Sequence, residues 1–334
     1  MLVKKLFLAL AILAGTALML PAKAIAFDSA IKEVGGSGNA SNSSETGRWR
    51  ANGMTIEAQN RKPYVVFNGT NVYTGSALSS TGRKFFIQDR DWKNHVLPIL
   101  KPQTIKQYRK AIKTIAIDPG HGGKDPGKIS ATGMREKTYA LDVCTRLKAQ
   151  LQARGFNVVM TRSKDVFIDL EKRPAIANDA DADLFISIHF NSAASKAARG
   201  LETWMLTPVG EASFGNKRVK TEGDRGNANN AANLLLAYKV QSSICNKIDI
   251  DDRGVKCANF AVLRDLKCPG ILVECGFFTN PAEAALIATS NRRDQLAIGI
   301  AEGVLAYARA LNAPVPVSKR PTREDIRQRS IFKR

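Results

Sequence analysis

TIAIDPGHGG, residues 114–123, is the stretch from which the rest of the chain can be read. A short apolar and β-branched run stops at Asp118 and Pro119, and the chain then sets His121 between Gly120 and the pair Gly122 and Gly123. A strand followed at once by a glycine-rich loop suits a side chain that must approach a ligand closely, because glycine lets the backbone turn where a Cβ would clash. Pro119 restricts how the loop leaves the strand. Only three histidines occur in 334 residues, so the setting of this one carries weight.

Downstream the rhythm alternates. NVVMT (157–161), DLFISIH (183–189), LETWML (201–206) and GILVECG (270–276) are runs of the kind that form buried strands. Between them, residues 136–155 place Ala140, Val143, Leu147 and Leu151 on one helical face and end at Gly155, a good C-terminal signal. Further helices are predicted near 169–180, 227–248 and 294–311. Strands alternating with amphipathic helices predict an α/β domain over 111–312, a mostly parallel twisted sheet flanked by helices on both faces. In such sheets, sites gather at the carboxyl ends of the strands.

Upstream the character differs. Residues 1–26 carry a basic start, an apolar run of fifteen residues and alanines at 22, 24 and 26, the layout of a cleavable signal peptide. An anchor would need about 20 apolar residues, and no cysteine precedes Cys144 to take a lipid. The protein is therefore expected to be exported, periplasmic or secreted, without a stable transmembrane anchor. Residues 27–48, rich in Gly, Ser and Asn, read as a flexible linker, and 49–110 as a small β-rich module with Asn-Gly turn signals. His95 within it has no evident ligand partner and reads as structural. A basic tail occupies 313–334, and the formal charge of the whole chain is +20. For an exported protein that excess points to anionic envelope polymers. The five cysteines are scattered, with no CxxC, so a disulfide scaffold or cysteine zinc site is not expected, although Cys257 and Cys268 could pair.

The strand-end rule selects His121, His189 closing the third strand, Glu136 opening the first helix and Glu274 at the end of ILVECG. Two imidazoles and one carboxylate make a catalytic zinc set with a position left open. Zinc lowers the pKa of a coordinated water to about 7 and polarises a carbonyl. A second carboxylate is then wanted as general base. From the residues alone, Glu136 and Glu274 could divide those two roles either way.

IAIDPGHGGKDPG, GMREK, SIHFNS and ILVECGFFTNPAEAALI together resemble, in order and spacing, the catalytic domain of the zinc-dependent N-acetylmuramoyl-L-alanine amidases. The likeness covers about residues 113–310. It implies one Zn2+ held by His121, Glu136 and His189, Glu274 as catalytic acid/base, and hydrolysis of the amide between N-acetylmuramic acid and L-alanine of the stem peptide. Peptidoglycan is then the partner, and nucleic acid is not expected. Asn191, Asn233 and Arg264 are candidates for the substrate groove. Division-linked relatives can carry an inserted helix that blocks the zinc, but here the interval 207–227 lacks an apolar stripe and reads as a loop that could shape the groove. The competing reading is a non-catalytic wall-binding or activator protein on the same fold, which should lack a ligand or the final glutamate; this chain keeps all four residues. A deacetylase or carboxypeptidase would need similar metal chemistry.

Overall fold

The structure, a computed structural model, describes residues 23–41, 43, 45–105 and 110–316. The signal segment therefore lies outside the described residues up to position 22, and the basic tail from 317 onward. No helix among the described residues is long and apolar enough to cross a membrane.

In chain order the strands are β1 (Ala24–Ala26), β2 (Ser37–Ala40), β3 (Thr46–Ala51), β4 (Met54–Gln59), β5 (Tyr64–Phe67), β6 (Thr70–Tyr73), β7 (Ser79–Thr81), β8 (Lys84–Gln88), β9 (Thr114–Pro119), β10 (Asn157–Met160), β11 (Leu184–Asn191), β12 (Leu201–Leu206), β13 (Asp252–Ala258) and β14 (Gly270–Phe277). The main helices are α1 (Phe27–Glu33), α2 (Glu136–Gln152), α3 (Lys172–Asp179), α4 (Asn230–Lys247), α5 (Pro281–Ala288) and α6 (Ser290–Ala310). One sheet of eleven strands runs β10-β9-β11-β14-β12-β13-β6-β5-β4-β3-β2, and β1, β8 and β7 form a second.

The sequence reading of a mostly parallel layered domain holds for the half that follows residue 113. β10, β9, β11 and β14 are parallel neighbours, with His189 opposite Glu274 in register. β12 then reverses against β14, with Glu202 opposite Glu274, and β13 follows β12 in parallel. Side chains alternate between two cores as the pleat requires. Ile115 and Ile117 join the larger core, while Ala116 between them joins the smaller one on the other face. The face of α2 read from the sequence, Ala140, Val143, Leu147 and Leu151, is fully buried. Burying each Val or Leu contributes about 1.5–3 kcal/mol, before the entropy of ordering the chain.

The N-terminal region departs from expectation. Residues 27–48 are not a linker: Phe27 in α1 is fully buried, its ring 4.6 Å from Trp49 and 5.7 Å from Trp92, and the Trp49 indole donates to Asp28 at 2.7 Å. The glycine- and serine-rich run that dilutes the pattern instead supplies β2, paired antiparallel to β3. The Asn-Gly signals do mark turns: Asn52-Gly53 and Asn68-Gly69 lie between β3 and β4 and between β5 and β6, all four residues at positive φ. The meander they build does not stand apart, however. β6 pairs with β13 at Val72 and Val255, so the β-rich region continues the main sheet, and both regions share one hydrophobic core. β13 itself was not foreseen, because its DRG start masks the apolar run. β1 pairs with β8, so a chain starting at Phe27 would lack that strand, whereas one starting at Ile25 would keep two of its three residues. The five cysteines are free. Cys257 and Cys268 do not pair because they belong to the cores on opposite faces of the sheet.

Candidate active site

The loop leaving β9 is built to hold one imidazole. His121 sits at φ 59°, and Gly122 and Gly123 follow at 127° and 55°. A histidine in the left-handed region is strained unless its surroundings fix it. Here two buried guanidiniums do so. Arg162 donates to the carbonyls of Pro119 (3.0 Å) and Gly120 (2.7 Å), and Arg173 to that of His121 (2.9 Å). Arg173 is anchored in turn by fully buried Asp118 at 2.8 Å.

Three elements bring their donors together. From the loop, His121 Nε2 lies 3.0 Å from Glu136 Oε1; from the end of β11, His189 Nδ1 lies 3.0 Å from the same oxygen. Glu136 opens α2, where its carboxylate meets the positive end of the helix dipole. Its orientation is set by the amides of Phe190, donating to Oε1 at 3.0 Å, and Lys128, donating to Oε2 at 2.8 Å. His121 is oriented from behind by Asp125 Oδ2, 2.7 Å from Nδ1. Burial opposes the Glu136 charge, but contact with both imidazoles holds its carboxyl far below the usual range. Burial likewise lowers the His121 pKa, and Glu136 and Asp125 outweigh it to raise the value.

The backbone leaves room for these rings. A Cβ on Gly120 would fall 2.3 Å from the His189 ring, and one on Gly127 would fall 2.7 Å from both Glu136 Oε2 and the His121 ring. One atom each of His121, Glu136 and His189 lie within 4.8 Å of one another, a set that could hold a metal ion. Four ligands on a tetrahedral ion with bonds of about 2.0–2.2 Å lie roughly 3.3 Å apart, close to the spacing found here.

Glu274 stands next to this set, in register with His189 on the neighbouring strand. Its Oε2 is buried with no hydrogen-bond partner. Burial first, then the charges of Glu136 and Glu202, push its carboxyl well above the ordinary carboxylate value. Two carboxylates thus share one site with pKa values driven in opposite directions, a pattern that separates a group kept charged from one suited to carry a proton.

Other residues of the site were missed. Glu202, directly across from Glu274, receives Arg253 Nε at 2.6 Å, Lys256 Nζ at 2.7 Å and the Asn191 amide at 2.9 Å. An acid inside the apolar run LETWML was the available signal. Arg253 also lies over the Phe277 ring at 4.9 Å and keeps 38% of its side chain exposed.

Of the three groove candidates, the structure brings only Asn191 to the site. Asn233 is 2% exposed and spends its amide on the Gly226 carbonyl and the Gly270 amide, so substrate cannot reach it. Arg264 follows β13, and β13 and β12 run against β14, so it lies at the opposite sheet edge, bonded to the Asn259 carbonyl. The same reversal carries the 207–227 loop away from the His189 end of the sheet. Its one helical piece is a short 3-10 turn, Arg225–Asn229, in agreement with the expected absence of an inserted helix.

Comparison with known proteins gives a consistent result. Residues 115–306 match the family profile described as N-acetylmuramoyl-L-alanine amidase. The chain is 32% identical over 263 residues to N-acetylmuramoyl-L-alanine amidase LytC of Bacillus subtilis, covering 77% of this chain and 48% of that protein. It is 39% identical over 216 residues to N-acetylmuramoyl-L-alanine amidase AmiC of Neisseria meningitidis serogroup B, covering 58% and 52%. The chain thus spans about half the length of these two curated relatives. Among solved structures, the N-acetylmuramoyl-L-alanine amidase of Clostridium difficile 630 superposes with a TM-score of 0.50 at 37% identity, covering 60% of this chain and 98% of that one. The catalytic domain of CwlV from Paenibacillus polymyxa gives 0.51 at 29% identity, with 59% and 99% covered.

Proposed function

Because the chain belongs to the N-acetylmuramoyl-L-alanine amidase family, we propose that it hydrolyses the amide between the lactyl group of N-acetylmuramic acid and the L-alanine of the peptidoglycan stem peptide. The observation that carries this reading is the convergence of His121, Glu136 and His189 beside Glu274, whose carboxyl pKa burial pushes up.

The residues fit zinc. Two neutral imidazoles and one ionised carboxylate are its catalytic donor set, and the glycines at 120 and 127 keep their space clear. His121, Glu136 and His189 would hold one ion, which when bound would activate water near neutral pH and polarise the scissile carbonyl. Asp125 fixes the His121 ring so that Nε2, not Nδ1, faces the site. Glu274 takes the proton of the attacking water as the C–O bond forms and delivers it to the nitrogen as the C–N bond breaks. Its raised pKa suits both halves of that transfer. Arg253, partly exposed beside the site, would meet an anionic group of the stem peptide. Export through the 1–26 signal would deliver the enzyme to its substrate, and the net charge, +17 once Lys4, Lys5 and Lys23 leave with the signal, favours the anionic envelope polymers around it.

The test is Glu274→Gln, which keeps shape and a hydrogen bond but cannot take a proton. Metal content should match the wild type, and release of stem peptides from purified peptidoglycan, followed by mass spectrometry, should fall about 10²–10⁴-fold. A near-normal rate would refute the assignment of Glu274. Fragments cut in the glycan or within the peptide would refute the substrate bond.

A further inference from the structure

The third histidine lies in a second cluster of metal-type donors. His95, Glu211 and Cys257 each place a donor atom within 4.8 Å of the others. They come from three separate segments: the helical turns over 89–100, the loop after β12, and β13. We propose that these three residues form a closed structural site for one divalent ion of the zinc type, tying the N-terminal region to the main sheet.

Four observations point that way. First, the donors are sealed: His95 and Glu211 are 1% exposed and Cys257 is 7% exposed. Imidazole, carboxylate and thiolate held this deep make the ligand chemistry of a structural rather than a catalytic ion. Second, His95, Glu211 and Cys257 line one cavity of about 20 Å³, and about 10–15 Å³ suffices for a particle the size of a water. Gly75 helps keep it open, since a Cβ there would meet Asp91 Oδ1 at 3.0 Å and Glu211 Oε2 at 3.3 Å. Third, His95 Nδ1 is buried with no partner, while its Nε2 stands 2.6 Å from Glu211 Oε2. Fourth, charge is unbalanced. The buried carboxyls of Asp91 and Glu211 face one nearby guanidinium, that of Arg90, so the cluster has acid to spare for a cation.

A buried His95–Glu211 hydrogen bond alone accounts for less. Glu211 already accepts from the Asn94 amide at 2.7 Å, and nothing in that pair calls for a thiol.

Metal analysis of the full chain loaded with zinc should give two equivalents in the wild type, one in Cys257→Ser and one in the double variant His121→Ala, His189→Ala. Loading with Co2+ should produce a thiolate-to-cobalt absorption in the near ultraviolet. The first cluster has no cysteine, so the band reports the second alone, and the double variant should keep it. One equivalent in the wild type would overturn the proposal. So would two equivalents without the thiolate band, because the second ion would then not rest on Cys257; both readouts stand even if Cys257→Ser fails to fold.

Discussion

The two histidine clusters use related donors in opposite settings. His121 and His189 keep 23% and 17% of their side chains exposed, at the end of the sheet where β9, β11 and β14 finish. His95 and Glu211 keep 1% each, under the seam where the N-terminal strands join β13. One cluster hangs on a strained glycine loop braced by arginines, and the other is clamped among elements from distant parts of the chain. Burial decides what each can do. An open set can exchange water and substrate, whereas a sealed one can only hold the fold together. Having the right donors therefore does not by itself make a site catalytic.

The strongest way to break this contrast is to remove residues 27–100. The turns and β-runs of that region suggest a unit that could be cut away. The structure predicts the reverse, since the cut strips the partner of β13, exposes an unpaired sheet edge, opens the shared core around Phe67 and Tyr238, and deletes His95 from the sealed cluster. The truncated chain should be insoluble or lack a cooperative thermal transition. A soluble fragment with a sharp transition and full amidase activity would show that the sealed seam is dispensable.

A smaller perturbation is Glu211→Ala. It leaves His95 buried without its hydrogen-bond partner, and an unsatisfied buried donor costs about 1–3 kcal/mol. Urea unfolding should show a loss of that order, with the turnover of the folded fraction kept, because Glu211 lies away from His189. A stability change under 1 kcal/mol would mean that the pair is solvated in solution.

What the sequence disclosed and what it hid follow from distance along the chain. His121, Glu136, His189 and Glu274 were legible because each signal is local: a strand end beside a glycine loop, a helix start, an acid closing an apolar run. Their meeting follows from parallel neighbours in register. The reversal of β12 against β14 has no local mark, so Asn233 and Arg264 were assigned to an edge they do not reach, and Arg253 was passed over. The pairing of β6 with β13 joins positions 72 and 255 and is equally silent in the sequence. Phe27 was hidden by the glycines and serines that follow it, though the short α1 around it is amphipathic. His95 seemed to lack partners because both of them, Glu211 and Cys257, lie more than a hundred residues away.

The mildest test compares the two carboxylates of the open cluster through pH, in chelator-treated protein so that bound metal does not enter. Glu274 has its folded pKa raised above the unfolded carboxyl value of about 4.3. Its protonated form is thus the one the fold favours, and the stability it contributes is complete below that value and lost as pH rises through the folded pKa. Glutamine mimics the protonated acid and does not titrate. Glu274→Gln should therefore unfold at nearly the wild-type temperature near pH 4 and at a progressively higher temperature than wild type as pH rises. For Glu136, with its pKa depressed, the sign inverts: it contributes above the unfolded value and loses that contribution as pH falls, so Glu136→Gln should lie furthest below wild type at neutral pH. Melting curves of both variants that ran parallel to wild type at every pH would mean that neither carboxyl is held as the geometry requires, and would remove the division of labour on which the proposed proton transfer depends.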